Sequence, residues 1–279
     1  MKLTFYGVRG SVPTPGPSTV RYGGNTSCAA VRLADGTVLV LDAGTGARIL
    51  GDQLSAGELP QPIHIFITHS HWDHILGAPF FAPFYRGDAH IVLHAMSERA
   101  HAALGRMALF DGEHFPVRAH DLPAKIERPP AATEVRVGSA RVTRVALNHP
   151  GGADGFRIDD EDGTSLCYLT DNELHPPGAP TTTPSELARF AKDAGLIVHD
   201  AQYLPDDMPD KRGWGHSLVP DVLALGREAE ARALALFHHD PNRDDDALDA
   251  VGRDAADWAA ERAPGLRVIV AAEGATIDV

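Results

Sequence analysis

The sequence predicts an α/β protein in which short buried strands alternate with amphipathic helices. A β-branched, apolar run at 63–68 has the length of one buried strand. Elsewhere, apolar runs pair across turn residues or lie between helical patterns, so the α/β class carries some α+β character. The stretches concerned are the hairpin-like pairs 134–147 and 155–170, the helical patterns 219–231 and 244–262, and the strand 233–237 between those helices.

Turn residues and the spacing of apolar residues predict the remaining elements. Asp35-Gly36 is a strong hairpin turn signal between two short apolar runs. The prolines within 122–130 predict a surface loop. In chain order, the other predicted elements are strands at 3–8, 27–33, 37–41, 91–94, 196–198 and 266–270, and helices at 44–54, from about Asp73, at 97–107 with Ser97 as its cap, and at 184–194.

Length and composition predict a single soluble domain over 1–279. Hydrophobic residues make up 43% of the chain, and no linker divides it. The formal charge is −13, which repels polyanions at long range, so we expect no extended nucleic acid as a partner. A small anionic substrate is compatible with this charge, because bound metal ions would reverse the field locally.

The first residues and the cysteines bear on location. No long apolar stretch follows Lys2, so we expect no signal peptide, no spanning helix and no membrane partner. The only two cysteines, Cys28 and Cys167, are expected to be buried and unpaired, which fits a reducing compartment. We therefore expect a cytoplasmic protein, and we keep a homodimer open.

The stretch 69–74, HSHWDH, is the strongest chemical signal in the chain. Four of its six residues are metal-ligand types, and they directly follow a buried strand. His69 and His71 can point to one side of an extended segment, while Asp73 and His74 can face a second point on the bend into a helix. Neutral imidazoles with carboxylates suit zinc and related metals. Surface histidines in a polar loop are the alternative, which this density and position disfavour.

The stretch 68–74 resembles the His-x-His-x-Asp-His signature of the metallo-β-lactamase superfamily. The resemblance implies a four-layer αββα sandwich and a binuclear hydrolase site at one edge, with further ligands at later strand ends. The implied cofactors are two divalent ions, zinc or else manganese or iron, with a bridging hydroxide as nucleophile. By resemblance the first site is His69, His71, His149 and Asp171, and the second is Asp73, His74, the bridging Asp171 and His238, with His239 as the alternative to His238.

Three further residues match by resemblance. Asp42 resembles an aspartate that supports the metal site by orienting a ligating imidazole, although a simple turn is the alternative. Asp200 and His216 resemble the ribonuclease Z-like branch, in which an acidic residue orients a histidine that binds no metal. Such a histidine can hydrogen-bond a phosphoryl oxygen or protonate a leaving alkoxide, whereas the alternative is an ordinary helix-start residue. The predicted catalytic residues are Asp73, His216 and Asp200.

The substrate class follows from the same resemblance. Ribonuclease Z proteins carry a long tRNA-gripping arm between the third histidine and the bridging aspartate, where this chain has only 150–170. We therefore expect a phosphodiesterase for small or cyclic-nucleotide phosphodiesters rather than tRNA. The alternatives are hydrolysis of a thioester, lactone or other carbon ester on the same metals, and a non-catalytic metal-binding sensor. An oxygen-reducing di-iron protein is disfavoured, because it would carry glutamate in place of His71.

Overall fold

Two seven-stranded β-sheets form the centre of the protein in the computed structural model, which describes residues 1–98, 110–113 and 115–279. Hairpins and crossovers both contribute strands to them. In chain order the strands are β1 (Lys2–Gly7), β2 (Cys28–Arg32), β3 (Val38–Leu41), β4 (Ile63–Phe66), β5 (His90–His94), β6 (Lys125–Glu127), β7 (Glu134–Val137), β8 (Ala140–Leu147), β9 (Ala153–Asp160), β10 (Ser165–Leu169), β11 (Leu196–Asp200), β12 (Ala233–Phe237), β13 (Arg267–Val270) and β14 (Thr276–Asp278).

Each sheet has an antiparallel half and a parallel half. The first sheet has the order β14-β1-β2-β3-β4-β5-β6, and its strands from β3 to β6 are parallel. The second sheet has the order β13-β12-β11-β10-β9-β8-β7, with β10 to β13 parallel. Parallel neighbours end at the same edge, so each sheet has one edge where several carboxyl ends lie together.

Helices cover the outer faces of the two sheets. The longest begins after Asp244, whose side chain accepts a hydrogen bond from the backbone N–H of Ala247 at 2.8 Å and so caps the helix. The α-helices of the described residues are α1 (Ala47–Ser55), α2 (Trp72–Ile75), α3 (Pro184–Phe190), α4 (Val219–Glu228) and α5 (Asp245–Arg262), with short 3₁₀ turns at Pro17–Thr19, Ala78–Phe80, Ala82–Tyr85, Ala119–Asp121 and Pro205–Asp207.

Three apolar cores define four layers. On β11, Leu196 and Val198 pack into a core shared by both sheets, whereas Ile197 packs against the helices of the second sheet. This alternation follows from the twofold period of a strand. A third core joins the first sheet to Leu50 of α1. Burial on both faces of both sheets supplies the main stabilisation, and the predicted four-layer αββα sandwich is confirmed.

Most predicted strands and hairpins are present, with informative exceptions. The predicted surface loop at 122–130 is wrong in part, because Lys125–Glu127 forms an edge strand parallel to β5. The three-residue strand β14 was not predicted, since it pairs with β1 from the opposite end of the chain. The predicted helix at 97–107 lies mostly outside the described residues. None of the helices described is long and apolar enough to cross a membrane.

Candidate metal centre

The side chains of interest lie just beyond the carboxyl ends of strands from both sheets. β8 and β10 are each antiparallel to β9, so they run in the same direction and end at the same edge. Carboxyl ends of strands are the usual location of ligand sites in such sheets. The residues that follow these ends are Asp42 after β3, 69–74 after β4, His149 after β8, Asp171 after β10 and His238 after β12.

Three of these residues leave their strands in a left-handed backbone conformation. Their φ values are 59° for Asp42, 60° for Asp171 and 58° for His238. Non-glycine residues adopt this region at a cost of about 1 to 3 kcal/mol, and such strain is concentrated at functional sites. The turn it produces directs each side chain across the strand end toward its neighbours from the other strands.

The first donor group combines three histidines and one carboxylate. Its four donor atoms all lie within 4.8 Å of one another. His71 Nδ1 lies 3.0 Å from His149 Nε2, and the Nε2 atoms of His69 and His149 each lie 3.6 Å from Asp171 Oδ2. The structure thus brings together the four residues that the resemblance assigned to the first metal.

The second donor group combines two carboxylates and two histidines, again with donor atoms within 4.8 Å of one another. Asp73 Oδ2 lies 3.4 Å from His74 Nε2 and 3.1 Å from His238 Nε2. Asp171 Oδ1 lies 3.0 Å and 3.1 Å from the same two nitrogens. All four residues are buried. These are the four residues that the resemblance assigned to the second metal.

Asp171 joins the two groups through its two carboxylate oxygens. Oδ2 lies beside His69 and His149 of the first group, whereas Oδ1 lies beside His74 and His238 of the second. Asp171 as a residue is 1% exposed, so water cannot solvate the charge of its carboxylate. A carboxylate shared in this way can contact two cations at once and fix the distance between them.

Unpartnered nitrogens indicate that these groups fit divalent metal ions. His69 Nε2 and His74 Nε2 are buried and have no hydrogen-bond partner among the described residues, although carboxylate oxygens lie within 3.6 Å of both. An unpaired buried polar atom is costly, so native proteins seldom retain one without a ligand. Neutral imidazoles together with carboxylates form a donor set that suits zinc, manganese or iron.

Three of these histidines also form a hydrogen bond through Nδ1, the ring nitrogen that is not their donor atom. His74 Nδ1 donates to Asp42 Oδ2 at 2.8 Å, and His149 Nδ1 donates to the Gly215 carbonyl at 3.0 Å. His69 Nδ1 donates to Thr68 Oγ1 at 3.1 Å. These bonds fix the tautomer and leave the lone pair of Nε2 in each ring free to bind a metal ion, as is usual for metal-binding histidines.

The pKa values of the first-group histidines favour neutral rings. Burial lowers the pKa of His69 well below its ordinary value, and the adjacent charge of His74 lowers it further. Burial also lowers the pKa of His71 and of His149, with Asp171 opposing the shift in both. A neutral imidazole is the form that binds a metal ion, so this group needs no deprotonation before binding.

In the second group, neighbouring charges outweigh burial in setting the pKa values, whereas burial dominates in the first group. Burial opposes the charged form of His74, but the carboxylates of Asp171 and Asp73 outweigh it and raise its pKa well above the ordinary value. Burial likewise opposes the charge of Asp171, yet His238 and His74 hold its pKa well below the ordinary range. Concentrated negative charge of this kind requires a compensating cation, which a metal ion can provide in place of a proton.

Asp200 and His216 form a hydrogen-bonded pair beside both donor groups. His216 Nδ1 donates to Asp200 Oδ2 at 2.7 Å, while Asp200 also accepts the backbone N–H of Gln202 at 3.0 Å. The His216 ring centroid lies 5.2 Å from that of His149 and 4.9 Å from that of His238. Burial opposes the charged form of His216, but Asp200 outweighs it and raises its pKa to about 9.

The structure places His238 in the second donor group and His239 outside it. It also shows a hydrogen-bond partner of His238 that the sequence did not reveal. His238 belongs to the second donor group, whereas His239 Nε2 donates to the Ala271 carbonyl at 2.8 Å. His238 Nδ1 donates to Gln202 Oε1 at 3.0 Å. Gln202 was assigned no role from the sequence, and its only signal was its position two residues after Asp200.

Asp42→Asn is expected to weaken metal binding about 10- to 100-fold, because His74 would lose the charged acceptor that orients its ring. Competition with a chromogenic chelator measures this affinity. Asp52→Asn is the matched control, since the Asp52 side chain is 59% exposed and forms a salt bridge with the neighbouring Arg48 on the same helix. Wild-type affinity in folded Asp42→Asn would instead support the alternative that Asp42 is an ordinary turn residue.

Fold and site together define a class of protein, and comparison with known families names it. The family described as the Beta-lactamase superfamily domain matches residues 37–239. The chain belongs to this superfamily. The matched range contains every residue of both donor groups together with Asp200 and His216.

The individual relatives include ribonucleases and a further protein of the metallo-β-lactamase fold. The chain is 28% identical to Ribonuclease Z of Staphylococcus carnosus over 87% of this chain and 89% of that protein. The metallo-β-lactamase fold protein YhfI of Bacillus subtilis is 19% identical with a TM-score of 0.70, over 99% of this chain and 98% of that one. Human tRNase Z, short form, is 19% identical with a TM-score of 0.66, over 100% and 98%. The chain is thereby placed among hydrolases of the metallo-β-lactamase fold.

These relatives overturn the expectation that extended nucleic acid is excluded. Proteins named Ribonuclease Z match most of the chain, and a ribonuclease acts on RNA. The net charge of −13 misled because it sums the whole surface, whereas binding depends on the local field around a site. The predicted hairpin is present as β9 and β10, but its shortness concerns one loop and excludes no nucleic-acid contact elsewhere.

Proposed function

We propose that the chain is a binuclear, metal-dependent phosphodiesterase acting as one domain over 1–279. The observation that carries this proposal is the Asp200–His216 pair beside the two donor groups. Hydrolysis of a carbon ester on two metals needs no such histidine, whereas a phosphodiester presents extra phosphoryl oxygens and a poor alkoxide leaving group. A fixed imidazole beside the donor groups can hydrogen-bond one of those oxygens or protonate that leaving group.

The roles of the chain's own residues follow from the geometry. We assign one divalent ion to each donor group, with zinc as the preferred metal. Asp171 belongs to both groups. When bound, such a pair supplies a water-derived nucleophile at neutral pH and positive charge for a phosphoryl oxygen. Asp73 contributes a donor to the second ion, and the backbone N–H of Ser11 donates to its Oδ2 at 2.7 Å.

His216 acts on the substrate through Nε2. Asp200 occupies Nδ1 at 2.7 Å, which fixes the ring and leaves the other nitrogen for the substrate. Because Asp200 also accepts the backbone N–H of Gln202 and of Asn172, its position is held independently of His216. In this arrangement His216 hydrogen-bonds a non-bridging oxygen or passes a proton to the departing alkoxide, and Asp200 is a positioning residue.

The relatives named Ribonuclease Z support a phosphodiester as the bond that is cleaved. We propose nucleotide phosphodiesters as the substrate class, and we retain both RNA and small or cyclic nucleotides within it. The Asp200–His216 pair and the donor groups act on the phosphodiester itself. That bond is common to all of these substrates.

A substrate panel on metal-reconstituted protein tests the proposal. We expect hydrolysis of bis(4-nitrophenyl) phosphate and of at least one nucleotide substrate, either an RNA oligonucleotide or a cyclic nucleotide. A matched set of 4-nitrophenyl acetate, a thioester and a lactone should be cleaved far more slowly. Activity confined to the carbon esters, with full metal loading, would refute the phosphodiesterase assignment.

A further inference from the structure

A cavity of about 720 Å³ opens directly beside His149. Its lining includes the end of β8 with the residues that follow it, and the chain after β5. The side chains that matter here are Arg144, Ala146, Leu147 and His149 on the first segment and Met96 and Glu98 on the second. The cavity therefore borders His149, a member of the first donor group, and its lining includes residues that follow strands of both sheets.

Arg144 points into this space because of its position on β8. Val142 packs into the core between the sheets, and Arg144, two residues further on, lies on the same face. Its cross-strand neighbour in the register is Phe156, which belongs to that same core. Arg144 thus stands where the apolar core ends and the cavity begins.

One contact fixes the guanidinium group. Arg144 Nε donates to Asp154 Oδ1 at 2.7 Å, and the Asp154 side chain is fully buried on β9. The Arg144 side chain itself is 22% exposed. Its Nη1 and Nη2 atoms have no hydrogen-bond acceptor among the described residues. Four N–H bonds in a rigid, preorganised fork therefore remain for a ligand in the cavity.

The chemistry of the cavity favours a phosphate. A guanidinium fork matches two oxygens of a phosphate with paired, charge-assisted hydrogen bonds. Met96, Ala146 and Leu147 supply apolar wall for the organic part of a ligand. Among the described lining residues that carry a full charge, the other one is Glu98, which is exposed, so an anion can be held at Arg144 with Glu98 in solvent.

We propose that this cavity binds the substrate next to the bond that is cleaved, and that Arg144 contacts a second phosphate there. The inference rests on the proposed function and narrows it to substrates with at least two phosphate groups. Arg144 precedes His149 by five residues, which is at most roughly 17 Å of extended chain. The second phosphate therefore lies within a few linkages of the scissile one, as in an oligonucleotide.

The test compares two substrates that differ in one phosphate. Thymidine 5′-(4-nitrophenyl phosphate) carries only the scissile group, and its 3′-phosphorylated form adds a second anion. We expect Arg144→Gln to lower the ratio of kcat/KM for the bisphosphate over the monophosphate substrate about tenfold. Arg141→Gln should leave this ratio unchanged, because Arg141 lies on the same strand with its side chain 53% exposed. An unchanged ratio in folded Arg144→Gln would overturn the inference.

Two additions keep the result interpretable. Because Arg144→Gln leaves Asp154 buried without its cation, the double variant Arg144→Gln with Asp154→Asn restores the charge balance and should show the same lowered ratio. Equilibrium binding of thymidine 3′,5′-bisphosphate against thymidine 5′-monophosphate needs no turnover. If neither chromogenic substrate is cleaved but Arg144→Gln still loses the preference for the bisphosphate, the proposed function fails and the Arg144 contact stands. Equal binding of both nucleotides by the wild type contradicts the contact itself.

Discussion

Asp171→Asn is expected to lower metal content from about two ions per chain to about one or fewer and to reduce phosphodiester turnover by at least about 10³-fold. The wild-type carboxylate places one oxygen in each donor group, at 3.0 to 3.6 Å from the histidine nitrogens. An asparagine amide has a single oxygen and no charge, so it can serve only one of the two groups. Elemental analysis of the purified variant and a steady-state assay measure the two effects.

Asp193→Asn is a matched control for this change. Asp193 has a similar left-handed backbone, with φ of 56° against 60° for Asp171, but its side chain is 71% exposed. Any effect of placing asparagine at such a backbone position should therefore be shared, whereas the metal effect should not. Two tightly bound ions and normal turnover in Asp171→Asn would show that the carboxylate is not shared between metals.

His216→Ala is expected to reduce kcat about 10²- to 10³-fold while both metal ions are retained. His216 is held by Asp200 and stands between the rings of His149 and His238, yet it is absent from the two principal donor groups. Removing the ring therefore removes a substrate contact and leaves the metal donors in place. Turnover and metal content must be measured on the same preparation.

Asp200→Asn and His120→Ala complete this test. Asp200→Asn should lower kcat with metals retained, because a neutral amide no longer stabilises the required tautomer of His216. His120→Ala should change nothing, since that side chain is 73% exposed. Asp200, His216 and His238 also approach one another closely enough to hold an ion. Loss of metal from His216→Ala would therefore make His216 a ligand and contradict its role toward the substrate.

Local patterns in the sequence were sufficient for much of the fold and for the donor residues of 69–74, whereas the rest of the candidate site came from the family resemblance. A buried strand that ends abruptly in HSHWDH predicts donors at a sheet edge, because apolar strands and polar strand ends have distinct compositions. The resemblance then named His149, Asp171 and His238 at later strand ends. The structure brings these residues within 4.8 Å of their partners in each group.

Contacts between distant segments could not be predicted in the same way. The Arg144–Asp154 pair depends on the register of β8 against β9, which the sequence of either strand alone does not give. Gln202 supports His238 only because β11 and β12 are neighbours. The net charge predicted the partner wrongly, because a sum over 279 residues carries no information about where the charges lie.

Metal titration of the apo-protein tests the central claim most directly. The protein is stripped with a chelator, zinc is returned in measured equivalents, and turnover of bis(4-nitrophenyl) phosphate is followed at each step. We predict no turnover without metal and a rise that saturates near two equivalents per chain. Full turnover in the stripped protein, or none after reconstitution with zinc, manganese or iron, would contradict a metal-dependent phosphodiesterase.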